Sequence, residues 1–168
     1  MTPPRESLIA WLRDAHAMEC QAETFLQTQI DRLKSYPEAI PRLRSHLKET
    51  EEQKETVEAC LRALGEDTST LKDTTMKIAA NLQGLMHATA GDEVLKNALA
   101  SAAFEQFEAA SYRMLVSAAQ IAGEPEIARV CEKIMEQEVS MSDWAWGQLQ
   151  PLTEKYLSLE AAGADASR

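Results

Sequence analysis

Apolar residues recur along this chain at steps of three and four, the spacing that gathers side chains on one face of an α-helix. Leu8, Leu12, Ala15, Ala22, Leu26 and Leu33 form a first stripe. It predicts a helix from Arg5 or Glu6 to about Lys34, stopped by Ser35-Tyr36-Pro37. A weaker stripe of Leu43, Leu47, Thr50, Val57, Leu61 and Leu64 predicts a second helix. It opens at Pro37 or Pro41 and is closed by Gly65, with Lys54 interrupting its apolar face. Residues 66–91 predict a shorter crossover helix capped by Asp67, Thr68 or Ser69, with His87 near its end. A third long helix is expected from an Asp92 cap to Ala122, where Gly123 and Pro125 close it. The last runs from Pro125 at least to Trp146, with Pro151 expected to kink or break it before Leu152–Leu157. The tail over 161–168, rich in Ala, is expected to be disordered.

The stripes are not purely apolar. Glu19 sits at the centre of the first, with Glu23 flanking it and His16 at the margin as a solvated or hydrogen-bonded residue. On the third long helix Glu105, Glu108 and Tyr112 project from the side that also carries Ala98, Ala102, Ala109 and Val116. Glu138 shares a face with Ile127, Cys131, Ile134, Met141, Ala145 and Leu152, whereas Glu136 falls nearly opposite. On the second helix His46, Glu49 and Gln53 line one shoulder of the apolar face, and Glu49 is the acid nearest the core. A buried carboxylate costs several kcal/mol or takes up a proton, so acids facing a core imply a cation, hydrogen-bond donors or water.

Composition narrows what such a site can be. The chain has 168 residues, 45% hydrophobic and 5% aromatic, with 6 Gly and 6 Pro, which favours one all-α domain over residues 1–160. A net charge of −10 argues against nucleic acid as a partner. No apolar run approaches the length of about 20 residues that spans a bilayer, and the first residues lack the core of a signal peptide, so the cytoplasm is the expected compartment. Cys20, Cys60 and Cys131 read as small buried residues, not a zinc or disulfide framework. Trp144 and Trp146 read as helix-edge or subunit-contact residues.

Four long helices that each carry an inward Glu near mid-length describe the way four-helix bundles hold two metal ions. Glu can bind one ion or bridge two, and oxygen donors suit iron or manganese. Met18-Glu19-Cys20-Gln21, His46-x-x-Glu49-Thr50-x-x-Gln53, Met76-Lys77 with Gly84-Leu85, Glu105-x-x-Glu108-x-x-x-Tyr112 and Glu136-Gln137-Glu138 occur in the order of a known motif set. From about Leu8 to Leu157 the chain resembles the YciE/YciF-type ferritin-like proteins of bacteria. The resemblance implies a ferritin-like up-down four-helix bundle with a short crossover helix, a homodimer, a role in stress responses and a ferroxidase-like activity on dioxygen or peroxide. It implies Glu19, Glu49, Glu105, Glu108, Glu138 and Gln53 as ligands of two ions, iron or manganese, with Tyr112 beside them as a hydrogen-bond donor or redox neighbour. The chain departs from the broader ferritin-like pattern, in which His follows Glu by three residues. Here Glu52 follows Glu49 and Met141 follows Glu138. The competing reading is a metal-free bundle, a structural or interaction protein whose acids are satisfied by Lys54, His46, Tyr112 and water.

Overall fold

The computed structural model describes residues 3–67 and 91–167, and among them four α-helices and no strand. They are α1 (Pro4–Arg32), α2 (Ile40–Ala63), α3 (Glu93–Ala122) and α4 (Pro125–Ala161). The expected crossover helix, its caps Thr68 and Ser69, the Met76 and Gly84 motif and His87 lie outside the described residues. Pro occupies the first turn of α1, α2 and α4, where a missing N–H costs nothing because first-turn donors have no intrahelical acceptor. Gly65 and Gly123 end α2 and α3 with φ of 82° and 78°, a left-handed conformation that disfavours any Cβ. The N–H of the next residue returns to Leu61 O at 3.0 Å and to Ala119 O at 2.9 Å.

Side-chain bonds between helices fix their directions. Glu19 meets Tyr112, Gln29 meets Ser101 and Arg32 meets Glu93, so α1 and α3 run antiparallel. Ser142 meets Gln106 and Tyr156 meets Gly91, so α3 and α4 are antiparallel too. His16 meets Glu58 and Lys54 meets Glu23, which makes α1 and α2 a hairpin. The order is therefore up, down, down, up, so α2 ends and α3 begins at opposite ends of the bundle.

The interior has three layers along its axis. At one end Leu8, Leu12, Val57, Leu61, Leu115, Ile127, Cys131 and Ile134 form an apolar cluster. At the other Leu26, Ile30, Leu43 and Met141 form a second. Between them lie the buried acids. The two clusters supply the burial that holds the helices together, and the acids occupy a layer from which that stabilisation is missing.

Two local expectations are corrected. Pro151 neither breaks nor ends α4, which stays helical to Ala161. Pro151 and Gly147, whose carbonyl loses its donor, are both exposed, so water can serve that carbonyl. Residues 163–167, expected to be disordered, lie against the α1–α2 turn. The Tyr36 hydroxyl donates to Ala166 O at 2.8 Å, Ser35 Oγ donates to Asp165 O at 2.9 Å, and Ala166 is buried. Asp92 does precede α3, but its carboxylate pairs with Lys96 at 2.7 Å and makes no side-chain cap bond.

Candidate metal centre

Helical phase brings Glu19 from α1, Glu105 and Glu108 from α3 and Glu138 from α4 into the middle layer, each no more than 1% exposed. Tyr112, fully buried one turn beyond Glu108, donates its hydroxyl to Glu19 Oε1. Gln53 of α2 donates to Glu138 Oε1 at 2.5 Å and to Gln137 Oε1 at 3.3 Å. All six are buried, Gln53 more deeply than its place on the shoulder of the α2 stripe suggests.

Glu49 is not in the layer. It is partly exposed, with Arg42 NH1 at 3.2 Å and His46 Nδ1 at 3.0 Å from its Oε2. Its position on the shoulder of α2 is one turn past His46, and the imidazole takes the inward place. His46 is fully buried, and its Nε2 stands 2.9 Å from Glu105 Oε2 and 3.6 Å from Glu138 Oε2. This is the functional residue that sequence reasoning undervalued. The spacing sought was His three residues after a Glu, whereas here His46 lies three before Glu49, and the same two helix positions are filled in reverse. His46, Glu105 and Glu138 each offer a ligand atom within 4.8 Å of the others.

Both ring nitrogens of His46 face carboxyl oxygens, an arrangement that favours the protonated ring. Burial pulls its pKa down, but the bonds to Glu105 and Glu49 outweigh that and hold it above the ordinary histidine value. The acids go the other way. Burial pushes Glu19 up to about 8 against the bond from Tyr112, and pushes Glu138 up to about 10 with the neighbouring Glu19 and Glu105 adding to it. Glu108 is raised well above the carboxylate range by burial first and then by Glu19, Glu138 and Glu105. Tyr112 is raised in turn by burial and by Glu19. Lys54, the expected neutraliser, instead pairs with Glu23 on the flank of the α1–α2 hairpin and stays partly exposed.

One imidazolium does not satisfy four carboxylates. Both oxygens of Glu108, Oε2 of Glu19, Oε2 of Glu138 and Oε1 of Gln53 have no hydrogen-bond partner among the described residues. Five buried oxygens without donors, beside one imidazole, form a donor set that fits hard or borderline divalent cations. Four carboxylates balance two such ions when His46 is neutral. Glu49 then holds Nδ1–H and leaves Nε2 to bind, the way a carboxylate behind a ligating histidine fixes its tautomer and orientation.

Among solved structures, a protein of Xanthomonas campestris pv. campestris is 36% identical, with a TM-score of 0.78. The match covers 94% of this chain and 98% of that one. The family model described as "Domain of unknown function (DUF892)" matches residues 3–158. The chain is therefore a member of the DUF892 family, a family of the ferritin-like type.

Proposed function

We propose that this protein is a di-metal carboxylate protein, with iron as the first expectation and manganese as the second, acting as a ferroxidase-like stress protein of the YciE/YciF type. The observation that carries it is Glu108, whose two buried oxygens lack any donor among the described residues and point into a layer of three more acids. Glu19, Glu105, Glu108 and Glu138 would hold the ions with His46 Nε2, and Gln53 Oε1 is within the same layer. When bound, the metal pair supplies the electrons that reduce dioxygen or peroxide. The chain's part is to neutralise the ions, exclude water through the flanking apolar clusters, and manage protons. His46 Nε2 gives up its proton on loading, Glu49 retains the one on Nδ1, and Tyr112 holds Glu19 Oε1 so that Oε2 faces the centre.

Protein purified without chelator should carry about two metal ions per chain by elemental analysis. Anaerobic titration of the metal-free protein with iron(II) should saturate at the same stoichiometry and release protons, since the raised acids and the imidazolium must ionise or deprotonate to bind. No saturable binding returns the protein to the metal-free reading, and saturation without proton release would show that the acids are already ionised in the metal-free fold. The bonds Tyr112 to Glu19 and Gln53 to Glu138 are what favour that alternative.

The partner we propose is a second copy of the chain. Ala103, Phe107, Ala110, Met114, Ser117 and Ile121 alternate in steps of four and three along the outside of α3, and all are exposed. Phe107, Met114 and Ile121 are 62%, 57% and 73% exposed, a contiguous apolar stripe of the kind that marks an interface. In a chain of net charge −10, the exposed residues of this seam include no acid, so two copies can meet there without like-charge repulsion. Light scattering should give twice the chain mass. The double substitution Phe107→Glu with Met114→Glu should give the single mass with helical content unchanged, and a wild-type monomer would refute the assignment.

A further inference from the structure

We propose that the end of the bundle beyond the carboxylates binds a small uncharged molecule with an apolar body and one oxygen acceptor, such as a short-chain alcohol, aldehyde or ketone. The site is a half-enclosed cavity of about 140 Å³ reached by all four helices and walled by Leu33, Leu43, Val94, Trp144 and Leu152. A volume of roughly 150 Å³ is enough to take up a molecule the size of benzene, and most of this cavity's wall is apolar.

The charges on the wall are the most fully engaged. Arg32 spans both oxygens of the buried Glu93, Nε to Oε1 at 2.5 Å and NH2 to Oε2 at 2.6 Å, and Glu38 accepts from Lys155 at 2.8 Å. A charged ligand would have to break one of these pairs and is disfavoured. Ser101 is different. It is buried and accepts from Gln29 at 2.8 Å, which leaves its hydroxyl proton to donate to one acceptor on a guest.

The cavity lies next to the carboxylate layer. Ser101 lies one turn before Glu105 on α3, and Leu43 one turn before His46 on α2. Met141, fully buried one turn past Glu138, packs with Leu43 between the two regions. The cavity therefore adjoins the acid layer, with Ser101 on its α3 wall and Trp144 on its α4 wall. Occupation of the cavity does not require metal and does not rest on the redox reading.

The test is calorimetric titration of the full chain, metal-free and loaded, with benzene, 1-hexanol and hexanoate. Benzene and 1-hexanol should bind once per chain with a dissociation constant of about 1 mM or tighter, and hexanoate about tenfold or more weakly. Ala145→Leu, which fills the wall from α4, should weaken both neutral probes by about tenfold or more with metal content unchanged. Should that variant misfold, Ala98→Leu fills the same space from α3. Ser101→Ala should weaken 1-hexanol severalfold and leave benzene unaltered. The proposal fails if neither neutral probe saturates in the folded protein, if the filled variants bind as well as wild type, or if hexanoate binds best.

Discussion

Replacing Glu108 by Gln should make the metal-free protein more stable and the loaded one lose its metal. In the unfolded chain Glu108 ionises near 4.5, whereas in the fold burial and three neighbouring acids keep its proton on well above that. Holding that proton when the unfolded chain has released it costs stability, and an amide of the same shape removes the cost. The melting temperature in chelator should therefore rise by about 5–10 °C at pH 7. The sign follows from linkage. Between 4.5 and its folded value the native state holds a proton that the unfolded state has released, so stability is fully present below 4.5 and falls as pH rises through the window. Glu19 extends the same loss up to about 8 and Glu138 up to about 10. Wild type should lose stability steadily from pH 5 to 8, the variant should lose it less steeply, and near pH 4.5 the two should converge. Metal content, by contrast, should fall at every pH, because an amide replaces a carboxylate in the donor set. An unchanged or lowered melting temperature in chelator would mean that Glu108 has found a donor and that the layer is not short of positive charge.

His46→Ala should do the reverse to the metal-free protein. The imidazolium is the one cation within hydrogen-bond reach of Glu105 among the described residues, and breaking a buried pair by removing one member costs about 3–5 kcal/mol. His46 titrates above its ordinary value in the fold, so its contribution is fully present below pH 6.5 and is lost as pH rises through the folded value. The deficit in melting temperature should thus be largest near pH 6 and shrink toward pH 9. Loaded protein loses a nitrogen ligand as well, and the affinity for iron(II) should fall about a hundredfold or more. Combined with Glu108→Gln the two effects should not add, because both act on one cluster of charge. Equal melting temperatures for His46→Ala and wild type at pH 6 would show the ring to be neutral and uncoupled.

The acids of α1, α3 and α4 were legible because each sits at mid-stripe on a helix whose apolar neighbours fix the phase, and phase alone separates Glu138 from Glu136. The stripe of α2 is broken by Lys54, so phase left a shoulder and no centre, and there Glu49 and His46 could not be ordered by depth. Depth there is set by Arg42, which holds Glu49 toward the surface. Pairs such as Arg32 with Glu93 join residues 61 apart and follow from topology that no local pattern encodes. The break at Pro151 is absent for a different reason: a lost backbone bond is costly where carbonyls are dry, and α4 is wet at that point.

The up, down, down, up order means that one hairpin, α1 with α2, brings His46, Gln53 and a single layer acid, while the other, α3 with α4, brings three acids and the phenol. Cut between Ala63 and Glu93, the chain would become two half-proteins of unequal charge, and the proposed metal pair would be their rivet. Loaded halves should stay together through gel filtration and come apart when the metal is stripped.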